Sequence, residues 1–96
     1  MTTKVRLSSW DAADYLDTAE DMALYLNAAL EENDPSLIAA ALGDIARSKG
    51  MSAIARETGL SRETLYRSLS PSGNPELGTI LKVAECLGLR FRISTN

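Results

Sequence analysis

The chain has 96 residues, a single cysteine, no histidine and a formal net charge of −3. This length supports one domain with a modest core, no apolar run approaches the ~20 residues of a transmembrane helix, and residues 1–9 lack the apolar segment of a signal peptide. We therefore expect a cytoplasmic single-domain protein without a membrane segment, in which Cys86 is a small buried residue rather than half of a disulfide.

The first half of the chain is predicted to hold two full helices. Residues 2–9 fit an extended arm or a short edge strand, and residues 10–18 fit one or two helical turns. Thr18 with an acidic residue three positions on resembles a capping box, and apolar spacing then predicts a helix over 19–32. Asp34 before a proline is a strong helix start, so the next helix is predicted over 35–48.

Three further helices are predicted in the second half. Apolar spacing indicates helices over 52–58 and 62–69, with Ser61 capping the second. Proline, serine and glycine make residues 71–75 a loop. The apolar residues of 77–87 predict a last helix that ends at the following glycine.

The C-terminal segment alternates apolar residues with arginines, which predicts a half-buried strand over 89–94. A lone strand leaves its backbone donors and acceptors unpaired. It would pair either with residues 5–7 or with its own copy across a two-fold axis, and the second arrangement would also give a dimer. The candidate dimerisation residues are Leu89, Phe91 and Ile93.

Residues 51–70, MSAIARETGLSRETLYRSLS, have the spacing of a DNA-reading helix-turn-helix. Two short helices that cross at a tight turn need a small residue at their contact, a flexible residue in the turn and two apolar side chains packed between them. The chain has Ala55, Gly59, Leu60 and Leu65 at these positions. The alternative is an ordinary helical hairpin whose arginines are solvated. We expect the first structure, in which the second helix enters the major groove.

Helical spacing that turns the apolar residues inward leaves four candidate base readers outward on the second helix: Arg62, Glu63, Tyr66 and Arg67. Arginine can donate two hydrogen bonds to guanine, glutamate can accept one from the cytosine amine, and tyrosine can meet a sugar, phosphate or thymine methyl group. Short hydroxyl side chains and cations near the start of this helix and on the helix before it could contact phosphates. The candidates for such contacts are Ser61, Thr64, Lys49, Ser52 and Arg56.

Charge is divided unevenly along the chain. Residues 1–46 carry two cations and nine acidic residues, a net charge of −7, whereas residues 47–96 carry eight cations and four acidic residues, a net charge of +4. This asymmetry indicates two surfaces with different partners, the C-terminal one suited to DNA and the N-terminal one to something basic. The alternative is that the acidic half is a solvated, solubilising face.

Four segments carry a resemblance to a known family: residues 11–16 (DAADYL), 25–30 (YLNAAL), 41–47 (ALGDIAR) and 59–71 (GLSRETLYRSLSP). Over residues 10–93 the chain resembles the addiction-module antidote family, the helix-turn-helix antitoxins encoded beside RelE/ParE-like toxins. The resemblance implies an all-α, lambda-repressor-like bundle with the Cro/C1-type fold. We expect five to six helices with a short C-terminal β-strand.

The resemblance also implies two activities: neutralisation of a small basic toxin, usually a ribosome-dependent RNase, and repression of the shared operon by a homodimer on double-stranded operator DNA. Residues 1–33 would form the toxin-facing acidic arm and helix, and residues 34–96 the DNA-binding domain, in one compact unit. Trp10, Tyr15 and Leu16 would be the toxin-binding anchors, and Asp11, Asp14 and Asp17 the charges around them. The alternative is that Trp10 and Tyr15 merely cap the bundle's own core.

Three other functions compete with this interpretation. One is a stand-alone prophage-type repressor without a toxin partner, and another is a helix-turn-helix domain that binds only protein. An enzyme is disfavoured because the chain has no histidine, one cysteine, no Gly-rich phosphate loop and no metal-ligand cluster. We expect no catalytic residue, no cofactor and no metal.

Overall fold

The computed structural model describes residues 15–95, and all regular secondary structure in that range is helical. The helices are α1 (Ala19–Glu31), α2 (Pro35–Lys49), α3 (Met51–Thr58), α4 (Arg62–Ser68) and α5 (Leu77–Cys86). The prediction of an all-helical chain with these five helices is confirmed, and their ends differ from the predicted ones by one residue or so. The predicted arm over 2–9 and most of the turns predicted over 10–18 lie outside the described residues.

Side-chain caps begin the first two helices where the sequence indicated. The Thr18 hydroxyl accepts a hydrogen bond from the Asp21 N–H at 3.1 Å, and the Asp34 carboxylate accepts one from the Ser36 N–H at 3.0 Å. Each bond satisfies a backbone donor that a helix start otherwise leaves unpaired. Between the helices, Asn33 has a φ of 55°, a left-handed conformation that asparagine tolerates better than most residues.

The core contains buried side chains from all five helices, α1 to α5. α2 packs against α1, α3 and α4, and α3 also packs against α4 and α5. The largest fully buried side chains are Leu42, Ile45, Ile54, Leu65 and Val83. Across residues 15–95 no polar or charged side chain is buried, so burial of apolar surface, at about 1.5–3 kcal/mol for each large side chain, stabilises this core.

Two glycines lie against the carboxyl end of α4. A Cβ on Gly43 would stand 2.1 Å from the carbonyl oxygen of Leu69, and a Cβ on Gly73 would stand 2.2 Å from that of Ser68. Real Cβ atoms essentially never come this close to another heavy atom. Glycine at both positions therefore allows the backbone of α2 and of the loop after α4 to approach the end of α4.

The predicted C-terminal strand is absent, which corrects the expectation from the alternating pattern. Residues 89–95 form no strand, because a strand needs hydrogen bonds to a neighbouring edge and the described chain offers no strand partner. Instead α5 ends in a Schellman motif, in which Gly88 has a φ of 75° and the Leu89 N–H donates to the Ala84 carbonyl at 2.9 Å. Leu89 then packs against the core.

Within residues 15–95 none of the helices combines the length and the apolar character needed to cross a membrane.

Candidate nucleic-acid interface

The turn from α3 to α4 occupies residues 59–61. Gly59 has a φ of 77°, in the left-handed region that glycine adopts without steric cost, and its N–H donates to the Ala55 carbonyl at 2.9 Å. The Ser61 side chain accepts a hydrogen bond from the Thr64 N–H at 3.0 Å and so caps α4. These local bonds set the direction in which α4 leaves α3.

The inner face of α3 and α4 is apolar, as the spacing predicted. Ile54 and Leu65 are fully buried, Leu69 is buried, and Leu60 is half-buried against the same core. Because Leu65 lies at the middle of α4, its burial holds one face of that short helix against the bundle.

The outer face of α4 presents the four predicted base readers to solvent: Arg62, Glu63, Tyr66 and Arg67. The Arg62 guanidinium lies over the Tyr66 ring, 5.9 Å from its centroid, which is a cation–π arrangement. Within the described part of the chain neither arginine of α4 forms an ion pair. Both guanidinium groups can therefore donate to an incoming ligand.

Some of the side chains predicted to contact phosphate have no hydrogen-bond partner among the described residues, and others already form hydrogen bonds or ion pairs there. Ser52 and Arg56 on α3 are exposed. Thr64 is half-buried, and its hydroxyl accepts a hydrogen bond from the Ser61 hydroxyl at 2.8 Å. Lys49 is also exposed, but its ammonium group already has partners on two other helices.

The Lys49 ammonium lies 3.5 Å from the Glu57 carboxylate and donates a hydrogen bond to the Cys86 carbonyl. It thereby links the end of α2 to α3 and α5. A contact with phosphate would compete with both interactions, so the structure assigns Lys49 a bridging role that the sequence pattern did not reveal.

Comparison with known proteins decides the family. A family model described as a probable addiction module antidote protein matches residues 6–95. The chain belongs to this family. An uncharacterized protein of Haemophilus influenzae is 48% identical over 88 residues, which cover 92% of this chain and 91% of that protein. No solved structure matches the chain. The resemblance inferred from the sequence is thus confirmed.

The residues predicted to face a toxin in this antidote-family chain are only partly described. Trp10, Asp11 and Asp14 lie outside the described residues. Tyr15 and Asp17 are exposed, whereas Leu16 is only 6% exposed and belongs to the core. Leu16 therefore contributes to the chain's own packing in this structure.

The candidate dimerisation residues lie after α5, and their exposed fraction increases along the chain. Leu89 is half-buried against the core, Phe91 is 37% exposed, and Ile93 is fully exposed. Residues 89–92 also line a cavity of about 290 Å³ beside α1. The C-terminal tail thus begins beside α1 and carries an exposed apolar side chain, Ile93, near its end.

Cys86 is half-buried at the edge of the core, and not fully buried as the sequence suggested. Burial raises the pKa of its thiol, and a hydrogen bond with Glu57 and the charge of that carboxylate raise it further. All three effects disfavour the thiolate.

Sequence reasoning missed a groove between α1 and α2. Its lining includes alanines from both helices and three carboxylates. At one end the Tyr25 hydroxyl donates to the Asp44 carboxylate, which also pairs with Arg47. On each helix the lining residues are spaced three and four apart around an adjacent pair of alanines, and this repeated spacing is the pattern that would have indicated the groove.

Proposed function

We propose that this chain is the antitoxin of a type II toxin–antitoxin module, which neutralises a RelE/ParE-like toxin and represses its own operon by sequence-specific DNA binding. Membership of the antidote family supports the first activity, because an antidote implies a toxin partner. The charge difference between the two halves of the chain supports two separate surfaces, an acidic one for a basic toxin and a basic one for DNA.

We propose further that α3 and α4 form a helix-turn-helix of the Cro/C1 type and that α4 is its recognition helix. One observation carries this proposal: α4 buries Leu65 completely while it exposes Arg62 and Arg67 without ion-pair partners among residues 15–95. In such motifs the residues at the start of the second helix contact base edges in the major groove. Arginine to guanine is the commonest specific contact there.

The two arginines are suited to different base pairs. Arg62 begins α4 and Arg67 follows five residues later, which corresponds to about 7.5 Å along the helix axis. Base pairs repeat about every 3.4 Å along duplex DNA, so this axial separation corresponds to about two base-pair steps. Stacking on the Tyr66 ring reduces the side-chain freedom that Arg62 would lose on binding.

We propose that the antitoxin binds its operator as a homodimer and that the exposed C-terminal tail contributes to the contact between copies. Two recognition helices related by a two-fold axis would read half-sites about 34 Å apart. Ile93→Asp should then dissociate the dimer in sedimentation velocity, because it places a charge in an apolar contact. Thr95→Asp, an equal charge change two residues further along, is the control and should leave the dimer intact. An unchanged sedimentation coefficient for Ile93→Asp would refute a contact through this tail.

DNA binding is tested by titrating the protein with a fragment of its own promoter at several salt concentrations. Contacts with phosphate predict that the logarithm of the binding constant falls linearly with the logarithm of salt concentration, by about 0.9 per neutralised phosphate. Failure to bind the promoter at low salt would refute the proposed repressor function. Binding without salt dependence would contradict contact with phosphate.

Toxin neutralisation is tested in cells by co-expressing the product of the reading frame adjacent to this gene. We expect that product to arrest growth and this chain to restore it. Arg62→Ala with Arg67→Ala should still restore growth, because these arginines are proposed for DNA alone. Removal of residues 1–14, which leaves the buried Leu16 in place, should abolish protection if the acidic arm holds the toxin; retained protection would refute the arm hypothesis.

A further inference from the structure

A groove of about 450 Å³ separates the exposed edges of α1 and α2. Alanines from both helices line its middle: Ala28 and Ala29 on α1, and Ala40 and Ala41 on α2. Because their side chains end at Cβ, the helices leave space there for side chains of another molecule. Ala28 is itself exposed and marks the open side of the groove.

Exposed leucines extend this apolar surface on each helix. Leu37 lines the groove on α2 and is 42% exposed. Leu24 on α1 is 70% exposed and precedes Ala28 by four residues, so the two lie one turn apart on the same helix face. A single exposed leucine is ordinary, whereas exposed leucines on both helices, one in the groove and one a turn from Ala28, add to the apolar surface that interaction sites present.

Negative charge surrounds the apolar surface. Glu32, Asp34 and Asp44 line the groove, and the chain has no lysine or arginine from residue 7 to residue 46. Arg47 pairs with Asp44 at one end. Glu32 forms no ion pair with any residue from 15 to 95, so its carboxylate remains open to a cation.

We propose that the groove between α1 and α2 binds a cationic amphipathic segment of the toxin, with an apolar side chain over the alanines and lysine or arginine at the carboxylates. This inference rests on the proposed antitoxin function and adds a second toxin-binding surface beyond residues 10–17. The charge of the groove determines the class of partner: it attracts a basic protein and repels the phosphates of DNA.

The groove also lies on a different side of α2 from the contact with α4. Gly43, which packs against the end of α4, does not line the groove, and helical spacing turns it away from Ala41 and Asp44. Toxin bound in the groove would therefore leave the contact between α2 and α4 in place.

The test uses the purified product of the adjacent reading frame, titrated against the full-length antitoxin. Ala28→Arg should weaken binding about a hundredfold, because it fills the groove and opposes a cationic partner with like charge. Asn74→Arg introduces the same side chain at an exposed loop position outside this groove and should change affinity by no more than about threefold.

A second matched pair tests charge alone. Glu32→Lys should weaken binding about tenfold, whereas Glu31→Lys makes the same change one residue earlier, outside the groove, and should have little effect. Both residues are exposed at the end of α1. Circular dichroism of all four variants establishes that each remains helical.

The outcomes separate this inference from the proposed function. If the wild-type chain neither binds the neighbouring gene product nor protects cells from it, the antitoxin function fails and the groove proposal falls with it. If the wild-type chain binds but Ala28→Arg and Glu32→Lys bind as tightly as their controls, the groove proposal alone is overturned. If Ala28→Arg instead lowers the sedimentation coefficient of the antitoxin by itself, the groove is a contact between copies, which also overturns it.

Discussion

Replacing Gly43 with alanine tests whether the close approach of α2 positions the end of α4. The added Cβ would lie 2.1 Å from the Leu69 carbonyl oxygen, so the backbone must move by about 1 Å to reach the 3.0 Å below which real contacts essentially never occur. Overpacking of this kind costs about 1–3 kcal/mol, and a clash with backbone belongs at the upper end because it cannot be relieved by changing a rotamer. Because alanine has a better helix propensity than glycine, it offsets about 1 kcal/mol of this cost. We therefore expect a net loss of about 2 kcal/mol in the free energy of unfolding.

Urea unfolding followed by circular dichroism measures this loss, and thermal unfolding should show a Tm lower by about 10 °C. Gly78→Ala is the matched control, because Gly78 is also helical but nothing lies within 4 Å of the Cβ it would gain. That variant should be more stable than the wild type, by up to about 1 kcal/mol. If Gly43→Ala were as stable as Gly78→Ala, the contact between α2 and α4 would be looser than the structure indicates and the reasoning would be refuted.

Three further predictions concern the turn before α4 and the cysteine. Ser61→Ala removes the cap of α4 and should cost about 1 kcal/mol, measured as a lower urea midpoint; an unchanged midpoint would show that the cap contributes nothing. Gly59→Ala should cost about 1–2 kcal/mol in thermal unfolding, because an L residue disfavours a φ of 77°, and Gly59→Asn should cost less; equal losses would contradict this explanation. Because burial and Glu57 raise the pKa of the Cys86 thiol, the pH profile of its alkylation by iodoacetamide should lie at higher pH than that of free cysteine. Glu57→Gln should move that profile back to lower pH, and a profile that does not move would exclude Glu57 as a cause.

The helices were predictable because their signals are local. Thr18 and the Asp34–Pro35 pair begin helices through bonds to residues two or three positions away, and Gly59 ends α3 through its own backbone conformation. The family was also predictable, since the segments that carry the resemblance lie within residues 6–95, where the family model matches.

The C-terminal segment shows where a local pattern was insufficient. Alternation of Leu89, Phe91 and Ile93 has the period of a strand, yet period alone does not supply a partner edge. The Schellman motif at Gly88 turns the chain so that Leu89 reaches the core and Ile93 remains exposed.

Contacts between residues distant in sequence account for the other differences. The Lys49 ammonium reaches the Cys86 carbonyl, 37 residues away, so a cation that was predicted to contact phosphate also links α2 to α5. Leu16 has an acidic neighbour and an exposed aromatic neighbour, but its own side chain belongs to the core. The groove depends on how α1 and α2 pack together, which no pattern within a single helix specifies.

The affinity of the full-length chain for its own promoter, compared with a scrambled fragment of equal length and composition, tests most directly whether α4 reads base sequence. Arg62→Ala and Arg67→Ala should each cost about 1–3 kcal/mol on the promoter and much less on the scrambled fragment. Lys82→Ala removes an exposed cation of α5, outside α3, α4 and the C-terminal tail, and should leave the ratio of the two affinities unchanged. Equal losses on both fragments for the α4 variants, or a wild-type chain that does not prefer its promoter, would contradict the account.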